Sequence, residues 1–134
     1  MELKYLKTGL CTFKLGDNLK EQTKNIPSGA YGVYKIYANS KDGELLYIGK
    51  SGTCQCCGSF KAQDLKERLN NKQEGMRREE FFTKELSMNP NIKMLYIEWF
   101  IVDSKQYLPG YCEAVLIQEY YEKYAKLPLW NKEF

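Results

Sequence analysis

The chain holds 11 tyrosines and no histidine, so imidazole is absent both as a general base and as a metal ligand. Proton transfer must therefore run through Tyr, Lys, Glu, Asp, Cys or water. Two tyrosines stand out by their neighbours: Tyr34 in Gly32-Val33-Tyr34 and Tyr47 in Tyr47-Ile48-Gly49. Lys50-Ser51-Gly52-Thr53 follows directly, a polar turn able to offer backbone N–H groups and one ammonium to a phosphate. It lacks the paired glycines of a Walker A loop. Glu119 follows Cys112, Val115 and Leu116 at helical spacing and interrupts an apolar stripe. A carboxylate there must be exposed, paired or coordinated; an i,i+4 bridge to Lys123 is the structural alternative. Between Lys61 and Lys84 stand seven basic residues (Lys61, Lys66, Arg68, Lys72, Arg77, Arg78, Lys84) against five acidic ones. They fit solvated helix faces and a phosphate-contacting ridge equally well.

Five cysteines are an odd number, and the N-terminus does not read as a secretory signal; reduced thiols are the expected account. Cys54, Cys56 and Cys57 share a Gly-bounded loop that invites a zinc reading. A structural zinc site wants four ligands and a paired C-x2-C arrangement, whereas Cys11 and Cys112 lie far off in sequence.

The elements that must position these groups are legible in outline. Tyr31–Ala38 and Leu45–Gly49, rich in β-branched and aromatic residues, flank the turn-forming stretch Asn39–Glu44 and predict a β-hairpin. Alternation sets Gly32, Tyr34, Ile36 and Ala38 on one face, and Leu45, Tyr47 and Gly49 on one face of the partner strand. Residues 1–28 read as an N-terminal arm packing against the sheet, with a short helix between Asp17 and Lys24 capped by Asp17 or Asn18 and stopped by Pro27. Residues 54–62 read as a long loop. A helix starts near Gln63 or Asp64 and breaks at Gly75. A second runs over Met76–Met88 with Phe81, Phe82, Leu86 and Met88 as its core face. Ile92–Val102 is the longest apolar run and suits a central strand covered on both sides. The last helix runs from Leu108 to Ala125, with Pro109 at its start.

Gly32-Val33-Tyr34 on one strand and Tyr47-Ile48-Gly49 on the next resemble the signature of the GIY-YIG nuclease family. The resemblance spans residues 29–131, about three-quarters of the chain, which it implies is the catalytic core of a single domain over residues 1–134. The fold it implies is α+β, a three-stranded antiparallel sheet flanked by helices. The catalytic set it implies is Tyr34 and Tyr47, Arg68 in Leu65-Lys66-Glu67-Arg68-Leu69, Glu119, and Asn131 twelve positions later, with Lys50 matching a lysine common in repair members. Glu113 is the competing glutamate, 18 residues before Asn131. Two features depart from the family. The interval from Tyr47 to Arg68 is long, and Lys72 stands where restriction-type relatives often carry a histidine.

Phosphodiester hydrolysis needs a positioned water, a base, charge stabilisation on the transition state and help for the leaving oxygen. Glu119 is expected to hold one Mg²⁺ (or Mn²⁺) that keeps most of its waters. Arg68 is expected to grip the scissile phosphate bidentately. Tyr34 would take the proton of the attacking water, its pKa lowered from about 10 by Lys50 and the metal. Tyr47 would orient the phosphate or share that role, and Asn131 would fix the geometry. Ser51, Lys72, Arg77 and Arg78 are candidate nucleic-acid contacts.

With 43% hydrophobic and 28% charged residues the composition is globular. No apolar run reaches the roughly 18–20 residues of a membrane span, and the charged N-terminus is unlike a signal peptide, so a cytoplasmic location is expected. A net charge of +3 permits an anionic partner without demanding one. The expected function is a metal-dependent endonuclease acting on duplex or branched DNA, aided by a homodimer or specificity partner. The alternatives are a non-catalytic nucleic-acid-binding module of the same fold and a zinc-stabilised interaction domain.

Overall fold

A computed structural model describes residues 3–61 and 63–134. In chain order the elements are β1 (Tyr5–Phe13), α1 (Leu19–Gln22), β2 (Gly32–Ala38), β3 (Leu45–Lys50), β4 (Thr53–Cys54), β5 (Phe60–Lys61), α2 (Leu65–Leu69), β6 (Lys72–Gln73), β7 (Met76–Arg77), α3 (Arg78–Met88), β8 (Leu95–Val102) and α4 (Pro109–Tyr124). The architecture is mixed α+β. β1, β8, β2 and β3 form one antiparallel sheet in that order, and β4–β5 and β6–β7 are separate two-stranded hairpins. No helix among the described residues is long and apolar enough to cross a membrane.

The sheet is covered on both faces. On one face Phe13, Tyr34, Ile36, Leu46, Ile97 and Trp99 bury against side chains of α1, α2 and α3, notably Leu19, Leu65, Leu69 and Phe82. On the other, Val33, Ile48 and Val102 bury against Cys112, Leu116 and Ile117 of α4. Each large apolar side chain so buried contributes about 1.5–3 kcal/mol, and β2 contributes to both layers by simple alternation.

The expected three-stranded sheet has a fourth strand. β1 lies in the N-terminal arm and pairs with β8 from Tyr5↔Val102 to Phe13↔Leu95. It hid because an edge strand buries one side only: Cys11 and Phe13 are inside, while Leu6 and Leu10 are 67% and 55% exposed. The expected helix over Met76–Met88 begins two residues later, at Arg78. Glu74 and Gly75 both adopt left-handed backbone (φ 54 and 78) and turn β6 back on β7. Met88, expected in the core, is 64% exposed at the end of α3. The loop over residues 54–62 contains the β4–β5 hairpin, and residue 62 lies outside the described residues.

Capping fixes the short helices that periodicity alone leaves marginal. Asn18 accepts from the Glu21 N–H at the start of α1. At α2 the Asp64 carboxylate accepts from the Glu67 N–H while Glu67 reaches back to the Asp64 N–H. The second Asp64 oxygen accepts from the Gly29 N–H at 2.8 Å, tying α2 to the entry of β2.

Candidate active site

The tyrosine pair is set by register. Tyr34 lies opposite Gly49 and Ile36 opposite Tyr47, so the two tyrosines are diagonal neighbours on one face with ring centroids 6.0 Å apart. A register irregularity after Ile36 turns Leu46 and Tyr47 both toward the helical layer of α1–α3. Leu45, expected on the face of Tyr47, packs instead against the α4 layer. Both motif glycines are required by close approach. A Cβ on Gly32 would collide with the Phe100 carbonyl oxygen, and one on Gly49 would sit 2.5 Å from Tyr34 Cζ and Oη. Tyr34 is fully buried and its hydroxyl has no hydrogen-bond partner among the described residues. Tyr47 is half-buried and lines a cleft of about 270 Å³ with Arg68, Lys72, Gln73, Trp130 and Asn131. Burial raises the Tyr47 pKa, the neighbouring Tyr34 and Glu113 add to the rise, and Arg78 and Arg68 oppose it.

The carboxylate that joins this group is Glu113. Desolvation raises its pKa, and the Lys50 and Arg68 cations pull it back. Among the described residues the ion pairs are Lys24–Glu21 and Arg77–Glu80, so Glu113 has none. Glu119, the favoured candidate from sequence, stands elsewhere. It is exposed, beside Tyr120 and Lys123 near the β2–β3 turn. Six residues along a helix is about 9 Å of rise and about 240° of rotation, so the two glutamates cannot serve one site. After Ile117 the side chains of α4 are mostly exposed, and that is why Glu119 needs no partner.

Lys50 ends β3, with its ammonium 3.3 Å from the Gly52 carbonyl oxygen. Arg68 is half-buried on α2 and engages no carboxylate among the described residues. Asn131 is used in full: its Oδ1 accepts from the Ile48 N–H and its Nδ2 donates to the Ile48 carbonyl, both at 2.9 Å. The adjacent Trp130 N–H donates to the Leu46 carbonyl at 2.8 Å. The C-terminal segment thus grips the outer edge of β3 on either side of Tyr47.

The four nucleic-acid candidates separate. Ser51 is buried and its hydroxyl accepts from the Gly32 N–H at 3.2 Å, so it serves the hairpin rather than a ligand. Arg77 is exposed but its Nε is 2.7 Å from Glu80 Oε1, which offsets its charge. Lys72 stands free at the cleft. Arg78 is no part of a surface ridge. It is fully buried, its Cζ lies 5.4 Å and 5.7 Å from the Tyr34 and Tyr47 ring centroids, and none of its three guanidinium nitrogens has a hydrogen-bond partner among the described residues. From the sequence, Arg78 is expected on a helix surface as a nucleic-acid contact; the signal for its burial is its place three residues after the Gly75 break.

The loop thiols Cys54, Cys56 and Cys57 are exposed. Among the described residues no three Cys, Asp or Glu side chains gather as a metal-binding group. A hard cation that keeps most of its waters needs less than that: one half-buried carboxylate without a protein counter-ion, and Glu113 fits it. No protein-family model, curated protein or solved structure matches the chain.

Proposed function

We propose that the protein is a metal-dependent endonuclease that hydrolyses DNA phosphodiester bonds, with the fold and catalytic set of the GIY-YIG family it resembles. What supports this reading is one convergence. Glu113 of α4 lies within electrostatic reach of Tyr47 of β3, Lys50 at its end and Arg68 of α2, and Arg68 within reach of Tyr47, with Tyr34 packed near Tyr47 and Asn131 bonded to the neighbouring Ile48.

Arg68 grips the non-bridging oxygens of the scissile phosphate through its planar fork. Tyr47, the tyrosine with access to the cleft, takes the proton of the attacking water; burial raises its pKa, which suits a proton acceptor once ionised, and Arg78 and Arg68 act against that rise to make the phenolate reachable. Tyr34 fixes the ring of Tyr47, and Lys50 supplies positive charge where the oxyanion develops. Glu113 replaces Glu119 as the residue that would hold a single Mg²⁺ or Mn²⁺. When bound, that ion supplies Lewis-acid stabilisation of the phosphate oxygens and of the leaving alkoxide. Asn131 holds β3, and with it Tyr47, in place.

The test is cleavage of supercoiled plasmid, with and without Mg²⁺, by the wild type beside Glu113→Ala and Glu119→Ala. Metal-dependent nicking that falls at least about a hundredfold in Glu113→Ala and persists in Glu119→Ala is the expected result. DNA binding without cleavage under any divalent ion would instead make this a nucleic-acid-binding module of the same fold.

A further inference from the structure

A guanidinium removed from water without a carboxylate or carbonyl partner is rare, because desolvation of the charge is then uncompensated. Arg78 is such a group: 0% exposed, with Nε, Nη1 and Nη2 all unpartnered among the described residues. The rings of Tyr34 and Tyr47 lie 5.4 Å and 5.7 Å from its Cζ, and such a cation–π contact offsets part of that cost while leaving the N–H donors unused. Two further unpartnered acceptors are buried in the same region, Tyr34 Oη and Gln73 Oε1. Arg78 and Gln73 stand in the wall of the cleft that also holds Arg68, Lys72 and Lys132 against Glu74 and Glu133. The backbone around Arg78 is fixed, its N–H donating to the Asn71 carbonyl at 2.7 Å. An arginine held rigidly, buried and with every donor free is prepared for an anion that the protein itself does not contain.

We infer that Arg78 is an interior phosphate receptor, which with Arg68 receives the non-bridging oxygens of a phosphodiester once the side chains covering it are displaced from the cleft. This rests on the nuclease reading for the nature of the anion. Arg68 approaches the phosphate from the cleft side and Arg78 from beneath the tyrosines. The second arginine spreads the transition-state charge over two forks, and its own counter-ion arrives only with substrate. Before that, Arg78 destabilises the fold; afterwards it anchors the ligand.

The experiment is thermal unfolding with excess inorganic phosphate against chloride at matched ionic strength, in the presence of a chelator, for wild type, Arg78→Met and Arg78→Lys, alongside plasmid cleavage. Phosphate should raise the wild-type melting temperature by several degrees and leave Arg78→Met unmoved. Without phosphate, Arg78→Met should melt at or above the wild type, since a long apolar side chain replaces an uncompensated charge. Arg78→Lys keeps the charge but loses the fork, and should bind phosphate roughly tenfold more weakly. Should Arg78→Met fail to fold, the Arg78→Lys titration decides alone. An equal phosphate effect in wild type and variants, or none in the wild type, overturns the receptor. If the wild type never cuts DNA while phosphate acts through Arg78, the nuclease reading falls and the receptor stands. If the wild type cuts and the variants match it in both assays, the receptor alone falls.

Discussion

Replacing Asn131 by alanine removes two hydrogen bonds from a single residue of the strand that carries Tyr47 in the proposed active site. Each 2.9 Å bond to Ile48 is worth about 0.5–1.5 kcal/mol net, so the pair contributes about 1–3 kcal/mol. The lower half of that range is expected, because Ile48 bonds outward at the sheet edge, where water can replace the lost amide. The Trp130 N–H bond to Leu46, the stacking of Trp130 on Phe82 and its edge-to-face contact with Phe81 are independent of the Asn131 side chain and remain. Loss should therefore be local. The Ile48 amide should exchange with solvent about tenfold faster for each 1.4 kcal/mol lost, and the urea midpoint should fall without a change in slope. Cleavage should fall further than stability does, since Tyr47 and Gly49 flank the loosened residue. Asn131→Asp keeps the acceptor for the Ile48 N–H but sets a carboxylate oxygen against the Ile48 carbonyl, and should cost more than alanine. Unchanged Ile48 exchange in Asn131→Ala would refute the clasp.

Three other outcomes follow from the same geometry. Gly49→Ala inserts a methyl 2.5 Å from Tyr34 and 2.8 Å from Tyr47 Cε2; it should cost about 1–3 kcal/mol by overpacking in a denaturation midpoint and displace both tyrosines, abolishing activity. Burial raises the Glu113 pKa above its ordinary 4.5, so the fold prefers the protonated form: that contribution is full below 4.5 and is lost as pH climbs through the raised value. Glu113→Gln should then gain stability over the wild type as pH rises through that window, measured by urea midpoints across a pH series, and an invariant difference would contradict it. Among the thiols, Cys57 should react first with a disulfide reagent, because hydrogen bonds from Ser59 lower its pKa. Cys11, buried and pushed up to about 12, should react only on unfolding.

The hairpin and its tyrosines were legible because strand alternation and turn chemistry are local signals: Tyr34, Ile36 and Ala38 do share a buried face. The capping residues of α1 and α2 were readable for the same reason. β1 escaped because a strand buried on one side at an edge mixes leucine and lysine without clean alternation. Glu119 attracted attention by interrupting an apolar stripe, yet a stripe tells only which side of a helix faces inward, not where along it the sheet stops. That boundary falls near Ile117 and depends on how α4 lies across β2 and β3, which no local pattern carries. Arg78 was misread as surface for a related reason. Its burial follows from the left-handed Glu74–Gly75 turn, which shortens the expected helix and brings its first residue beneath the tyrosines.

Glu113 and Lys50 belong to the layer of α4, whereas Tyr34, Tyr47, Arg68 and Arg78 belong to the opposite layer of α2 and α3. Both tryptophans of the chain, Trp99 and Trp130, lie in that second layer. Tryptophan fluorescence during refolding, excited apart from tyrosine, therefore witnesses only half of the assembly. A chain whose α2–α3 side has condensed while α4 is still undocked would shine like the native protein but, on the proposed nuclease reading, lack Glu113 and fail to cleave, so recovered cleavage would serve as the clock for α4 and the lag between the two signals would time its arrival.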